Sequence, residues 1–119
     1  MDDLTSEAFQ AGARNPEAVA LVVFYAAWCA PSRLQVPVID RLAEEFRGRV
    51  FVGQVNVDTE EALAEEFGAR TLPTTVLLAG GEVVEILAGY QQEEFLRSYL
   101  DQILQSVAES DPAAPPGSS

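Results

Sequence analysis

Cys29 is the only thiol in the chain, and there is no histidine to pair with it. That excludes most cysteine chemistry at once. No intramolecular disulfide, no His/Cys zinc site and no Cys–His nucleophile pair can be assembled. What remains is the chemistry of one thiol. It either attacks an external disulfide as a thiolate, or it is buried as a small hydrophobe. Its surroundings are Trp28-Cys29-Ala30-Pro31-Ser32-Arg33, between an apolar run and a helical pattern. A helix N-terminus presents unpaired N–H groups and the positive end of the dipole, which favours thiolate. Arg33 adds positive charge close by, or is simply a solvated first-turn residue.

The elements that must hold this turn are legible on either side. Before it, residues 18–25 form a short, nearly continuous apolar run, which suits a strand covered on both faces. After it, Leu34, Val38, Leu42 and Phe46 recur every four residues, widened by Ile39 and Ala43, and predict a helix from about Ser32 to Phe46. Pro37 lies inside that pattern and is expected to kink it. Upstream, Leu4 to Phe9 opens a helix that Thr5 or Ser6 can cap, with Leu4 packing back on Phe9. Downstream, residues 50–57 read as a second strand and 58–67 as a helix. Thr74 to Ala79 and Glu82 to Leu87 read as strands joined by the hairpin signal Gly80-Gly81. Gln91 to about Val107 is a final helix with Phe95, Leu96, Tyr99, Leu100, Ile103 and Leu104 at helical spacing. The order α-β-α-β-α-β-β-α implies one mixed sheet, parallel between its first two strands, with helices on both faces.

Composition bounds the rest. At 119 residues, 48% hydrophobic and 22% charged, the chain fits one globular domain, placed at residues 1–108. Residues 109–119, ending DPAAPPGSS, are expected to be a disordered Pro/Ala/Ser-rich tail. The net charge is −12 and all seven basic residues are arginines, so phosphate backbones would be repelled and nucleic-acid binding is not expected. No apolar run approaches the roughly 18 residues needed to cross a bilayer. The acidic N-terminus shows no signal peptide, and a cytoplasmic protein is expected. The acidic pairs Glu44-Glu45, Glu60-Glu61, Glu65-Glu66 and Glu93-Glu94 are expected to be solvated helix faces without partners.

Taken together, the motif and the element order resemble the thioredoxin family, whose signature is Trp-Cys-Gly-Pro-Cys between the first parallel strand and a long kinked helix. The resemblance runs from about Leu4 to Leu104. Pro37 matches the family's helix proline, Val55-Asn56-Val57-Asp58 its second-strand ending, Leu72-Pro73-Thr74 its cis-proline loop and Gly89 the glycine after its last strand. It implies a three-layer α/β/α thioredoxin fold with a central mixed sheet. The N-terminus looks too short for the family's first edge strand, so four or five strands are expected. It also implies an attacking thiol at Cys29 and substrate contacts at Trp28, Ala30, Pro31, Leu72, Pro73 and Gly89. Tyr90 lies beside that groove, or is an ordinary exposed aromatic.

The sequence departs from the family where the second half of the reaction is performed. Ser32 replaces the resolving cysteine. Val23 stands in place of a buried aspartate and Gln54 in place of the lysine that partners it. Ser32 is expected to cap the helix, to donate a hydrogen bond to the Cys29 thiolate, or both. Three readings stay open. One is a monothiol exchange protein that forms mixed disulfides through Cys29 and turns over with an external thiol such as glutathione, with no bound cofactor or metal. Another is a redox-silent chaperone or docking module that keeps the groove for extended segments. The last is an ordinary reductase engineered into a trap at position 32. The expected partners are proteins with disulfides or extended segments, with no nucleic acid and no membrane.

Overall fold

A computed structural model describes residues 1–110. Its elements are α1 (Ser6–Gly12), β1 (Val19–Tyr25), α2 (Ala30–Glu45), β2 (Phe51–Asn56), α3 (Glu61–Glu66), β3 (Thr74–Ala79), β4 (Glu82–Ala88) and α4 (Glu93–Ser110). The expected domain boundary at 108 falls inside α4. Residues 109 and 110 are therefore helical, and the rest of the expected tail lies outside the described residues.

β1 explains the architecture. Its residues alternate between two cores: Val19, Leu21 and Val23 enter one, and Ala20, Val22 and Phe24 the other. A strand apolar at every position must be covered twice. On the first face α2 contributes Ile39 and Leu42, and α4 contributes Leu96 and Leu100. On the second, α1 contributes Phe9 and α3 Leu63. This is a three-layer α/β/α fold with sheet order β2-β1-β3-β4. β1 and β2 are parallel, and β3 is antiparallel to both β1 and β4. Among the described residues, four of the four or five strands expected form. Where a fifth would lie, the described residues show a single parallel bridge from Asp3 to Gln54, with Leu4 N–H donating to Gln54 O at 2.8 Å.

Local signals act as their chemistry requires. Thr5 caps α1 by accepting from Ala8 N–H at 3.1 Å, and Leu4 packs on the cluster containing Phe9. Gly80 and Gly81 both take positive φ, +64° and +83°, as a tight hairpin demands. Two expectations for helix faces do not hold. Leu34, counted in the α2 stripe, is 67% exposed, and Phe95, counted in the α4 stripe, is 46% exposed. The inward face of α2 is instead Ser32, Gln35, Val38, Ile39 and Leu42, so a polar residue fills the place that strict apolar spacing gives to Leu34.

Six of the eight residues in the acidic pairs have partners, contrary to the expectation. Arg97 of α4 binds Glu45 of α2 at 2.7 Å, Glu93 at 2.7 Å, and Glu94, while Arg41 binds Glu93 at 2.7 Å. Glu44 pairs with Arg47, Glu66 with Arg14, and Glu60 accepts from Ser6 N–H. The hydrogen bond from Arg97 holds Glu45 below the usual carboxylate range, and those from Arg41 and then Arg97 do the same for Glu93. A depressed carboxylate contributes stability above its unfolded pKa and loses it as pH falls through its folded pKa. Arg97→Ala should therefore lower the thermal midpoint at neutral pH, with the gap to wild type closing as the pH drops through the carboxylate range. A gap that stays constant down to acid pH would show that Arg97 acts by packing alone.

Candidate functional site

The site is built where β1 ends. Ala26 and Ala27 leave the sheet, the Cys29 N–H turns back to Ala26 O at 3.1 Å, and α2 begins at Ala30. The helix thus starts two residues earlier than expected, with Cys29 as its N-cap residue and Pro31 in its first turn. Pro suits that turn because the first helical N–H groups have no intrahelical acceptor to lose. The Cys29 backbone is extended, and its carbonyl accepts from Arg33 N–H at 3.1 Å. Its side chain is half-buried and unpaired with any other sulfur.

The thiol faces the loop before β3. Cys29 Sγ lies 3.6 Å from the carbonyl oxygen of Leu72, toward which it donates, and the Leu72–Pro73 peptide bond is cis. Thr74 Oγ1 donates to Thr71 O at 2.5 Å and closes that loop. Pro73 O accepts from Gly89 N–H at 2.8 Å, which brings the end of β4 against it. Gly89 takes φ +85°, a conformation that side chains disfavour. Cys29, Leu72, Pro73 and Gly89 are thus linked by contacts. Ala30 and Pro31 lie exposed beside them at the head of α2, and Tyr90 is half-exposed next to Gly89.

Trp28 is 68% exposed, yet it is not loose. Its Nε1–H donates to Asp58 Oδ2 at 2.9 Å. Asp58 follows β2, and parallel pairing with β1 is what brings the two strand ends together. The result is a fixed aromatic surface beside the thiol. Asp58 is legible in the sequence only as part of a strand ending; its bond to the Trp28 indole follows from the register of β1 against its neighbour β2.

Ser32 departs from both expected roles. It is fully buried, and its Oγ accepts from Ala26 N–H at 3.3 Å. It braces the turn that precedes Cys29, whereas the N-cap position belongs to Cys29 itself, with no side-chain cap bond. Arg33 is exposed and donates to Ala27 O at 3.0 Å, so it braces the same turn from outside.

Behind the turn lies a row across the sheet. β1 pairs Val23 with Gln54 of β2 and with Thr75 of β3. Val23 is fully buried. Gln54 is largely buried, its Nε2 donates to Asp3 Oδ1 at 2.6 Å, and Tyr25 OH donates to the same oxygen at 2.5 Å. Burial, then the bond to Asp3, push the Tyr25 phenol up to about 12. A cleft of about 310 Å³ opens here between Tyr25, Gln54 and the Arg33–Pro37 stretch of α2. Gln54 Oε1 and Thr75 Oγ1 are buried with no hydrogen-bond partner among the described residues. Thr75→Val should then be neutral or stabilising by about 1 kcal/mol in chemical denaturation, because it removes an unsatisfied buried hydroxyl. A loss above about 1 kcal/mol would show that the hydroxyl is satisfied in solution.

Among the described residues no three His, Cys, Asp or Glu side chains are grouped to hold a metal ion, and no helix is long and apolar enough to cross a membrane.

Known proteins agree with this architecture. A family model described as Thioredoxin matches residues 1–102. Thioredoxin 2 of Chlorobaculum tepidum is 36% identical over 100 residues, covering 84% of this chain and 92% of that protein. Thioredoxin of Alicyclobacillus acidocaldarius subsp. acidocaldarius is 39% identical over 102 residues, covering 86% and 96%. Thioredoxin of Haemophilus influenzae is 35% identical over 94 residues, covering 79% and 88%. With its sheet order, its cis-proline loop and these matches across most of its length, the chain belongs to the thioredoxin family.

Proposed function

We propose that this protein performs thiol–disulfide exchange with polypeptide substrates through Cys29 alone. The observation that carries this reading is the half-exposed Cys29 at the head of α2, 3.6 Å from the Leu72 carbonyl of the cis-proline loop. In the first step the Cys29 thiolate attacks one sulfur of a substrate disulfide. A Cys29–substrate S–S bond forms, the substrate S–S bond breaks, and the departing thiolate takes up a proton. An extended substrate segment would lie along Leu72, with Trp28, Pro31 and Gly89 flanking it.

The second step needs a thiol from outside. Ser32 has a hydroxyl where attack on the mixed disulfide would need a thiolate, and it is engaged with Ala26 N–H. Glutathione fits the requirement. Its thiolate attacks the Cys29 sulfur, the substrate leaves as a thiol, and a second glutathione frees Cys29 as glutathione disulfide forms. A reducing compartment such as the cytoplasm suits a lone thiol working this way.

The test is reduction of a protein disulfide by the full chain, with and without glutathione, beside Cys29→Ser. Turnover should require both Cys29 and glutathione. Equal rates for wild type and Cys29→Ser would favour the second reading, a redox-silent docking module. The fixed and 68% exposed Trp28 surface favours that reading independently of the thiol.

A further inference from the structure

Gln35 is fully buried on the inward face of α2, six residues after Cys29. A carboxamide in such a place is costly unless both of its ends are paired. Here they are, and with one residue. Gln35 Nε2 donates to Gln91 O at 3.0 Å, and Gln35 Oε1 accepts from Gln91 N–H at 2.7 Å. The two bonds fasten the backbone of Gln91 to the helix that carries the thiol. The same short segment is fastened at its other end, where Gly89 N–H donates to Pro73 O at 2.8 Å. Gln91 also folds its own side chain back onto Ala88 O and Gly89 O, at 3.3 and 3.4 Å. Hydrogen bonds therefore run in a circuit, from α2 through Gln35 to Gln91 and Gly89, across to Pro73, and from Leu72 O back to Cys29 Sγ. Tyr90 stands between the two fastened points and is half-exposed.

An apolar residue at position 35 would fill the same space but would take these partners from the Gln91 N–H and carbonyl. What the amide adds is a fixed distance between the helix head and the wall of the groove. We propose that Gln35 is a positioning residue for exchange with polypeptide disulfides: it holds the Gly89–Gln91 segment so that an extended chain is aligned beside Cys29. This rests on the reading of Cys29 as an exchanging thiol. A small disulfide needs no groove, so the contribution of Gln35 is specific to substrates with a backbone.

The test uses the full chain and two reagents with the same thiopyridyl leaving group, a neutral dipyridyl disulfide and an extended peptide activated at its cysteine. Second-order rate constants for Cys29 are measured for wild type, Gln35→Leu and Gln35→Glu. The ratio of the peptide constant to the small-reagent constant should fall about tenfold or more in Gln35→Leu, because a misaligned chain loses the advantage of orientation. Gln35→Glu keeps the acceptor for Gln91 N–H but turns a second oxygen toward Gln91 O in place of the donor, so its ratio should fall as well. It also carries the test if Gln35→Leu does not fold. Amide exchange at Gln91 should accelerate by at least about tenfold in Gln35→Leu, with β1 amides as the internal reference. A ratio that stays at the wild-type value in a folded variant overturns the proposal, whether both constants hold or fall together. A wild-type protein inert to both reagents overturns the exchange reading itself and this proposal with it. That outcome is distinct, because it is seen before any change at position 35.

Discussion

Ser32→Cys should turn a persistent mixed disulfide into one that resolves itself. In the wild type an adduct on Cys29 waits for an external thiol. In the variant, the new thiol sits one helical turn from Cys29 and attacks the Cys29 sulfur. The substrate leaves as a thiol, and a disulfide closes within the protein. An internal attacker acts at a high effective concentration, so the adduct lifetime without added thiol should shorten by at least about a hundredfold. Two features of the structure limit the gain. Position 32 is fully buried and its oxygen holds Ala26 N–H, a bond that sulfur would make less well. Val23, on the sheet face that α2 covers, supplies no carboxylate to receive the proton of the new thiol. An adduct as long-lived in the variant as in the wild type would mean that position 32 cannot reach the mixed disulfide.

Val23→Asp should cost about 1–3 kcal/mol of stability at neutral pH, as a polar group buried without adequate partners does. Val23 has no exposed surface, and its neighbours in the sheet are Gln54 and Thr75. Burial raises the carboxyl pKa in the folded state above its unfolded value. The neutral acid is then the tolerated form, so the penalty is smallest below the unfolded pKa and grows as pH rises toward the folded one. Chemical denaturation of both proteins at mildly acidic and mildly alkaline pH reads this directly. No loss of stability, or none that depends on pH, would show that water reaches the carboxyl in the folded state.

Much of the fold is legible because its signals are local. The apolar run of β1, the hairpin glycines and the Thr5 cap each act within a few residues, and each forms where it is expected. The residues that escaped are those whose role is set by what lies across the fold. Apolar spacing cannot register Gln35, because a buried amide satisfied by a distant backbone looks polar in sequence. Leu34 fits the apolar spacing, yet helix phase turns it outward and Gln35 inward. The Arg97 cluster joins α2 to α4 and shows in neither helix alone. In the site, the motif located Cys29 and the loops around it. The braces did not show. Ser32 to Ala26, Trp28 to Asp58 and Gln35 to Gln91 are hydrogen bonds between segments that only the packed sheet and helices bring within reach.

The most direct test of a single-thiol mechanism is the intact mass of the folded protein after exposure to an activated peptide disulfide and removal of excess reagent. The account predicts one peptide per chain, absent in Cys29→Ser, stable on standing and released when glutathione is added. A folded chain that gains no mass would contradict it, as would an adduct that disappears with no thiol present.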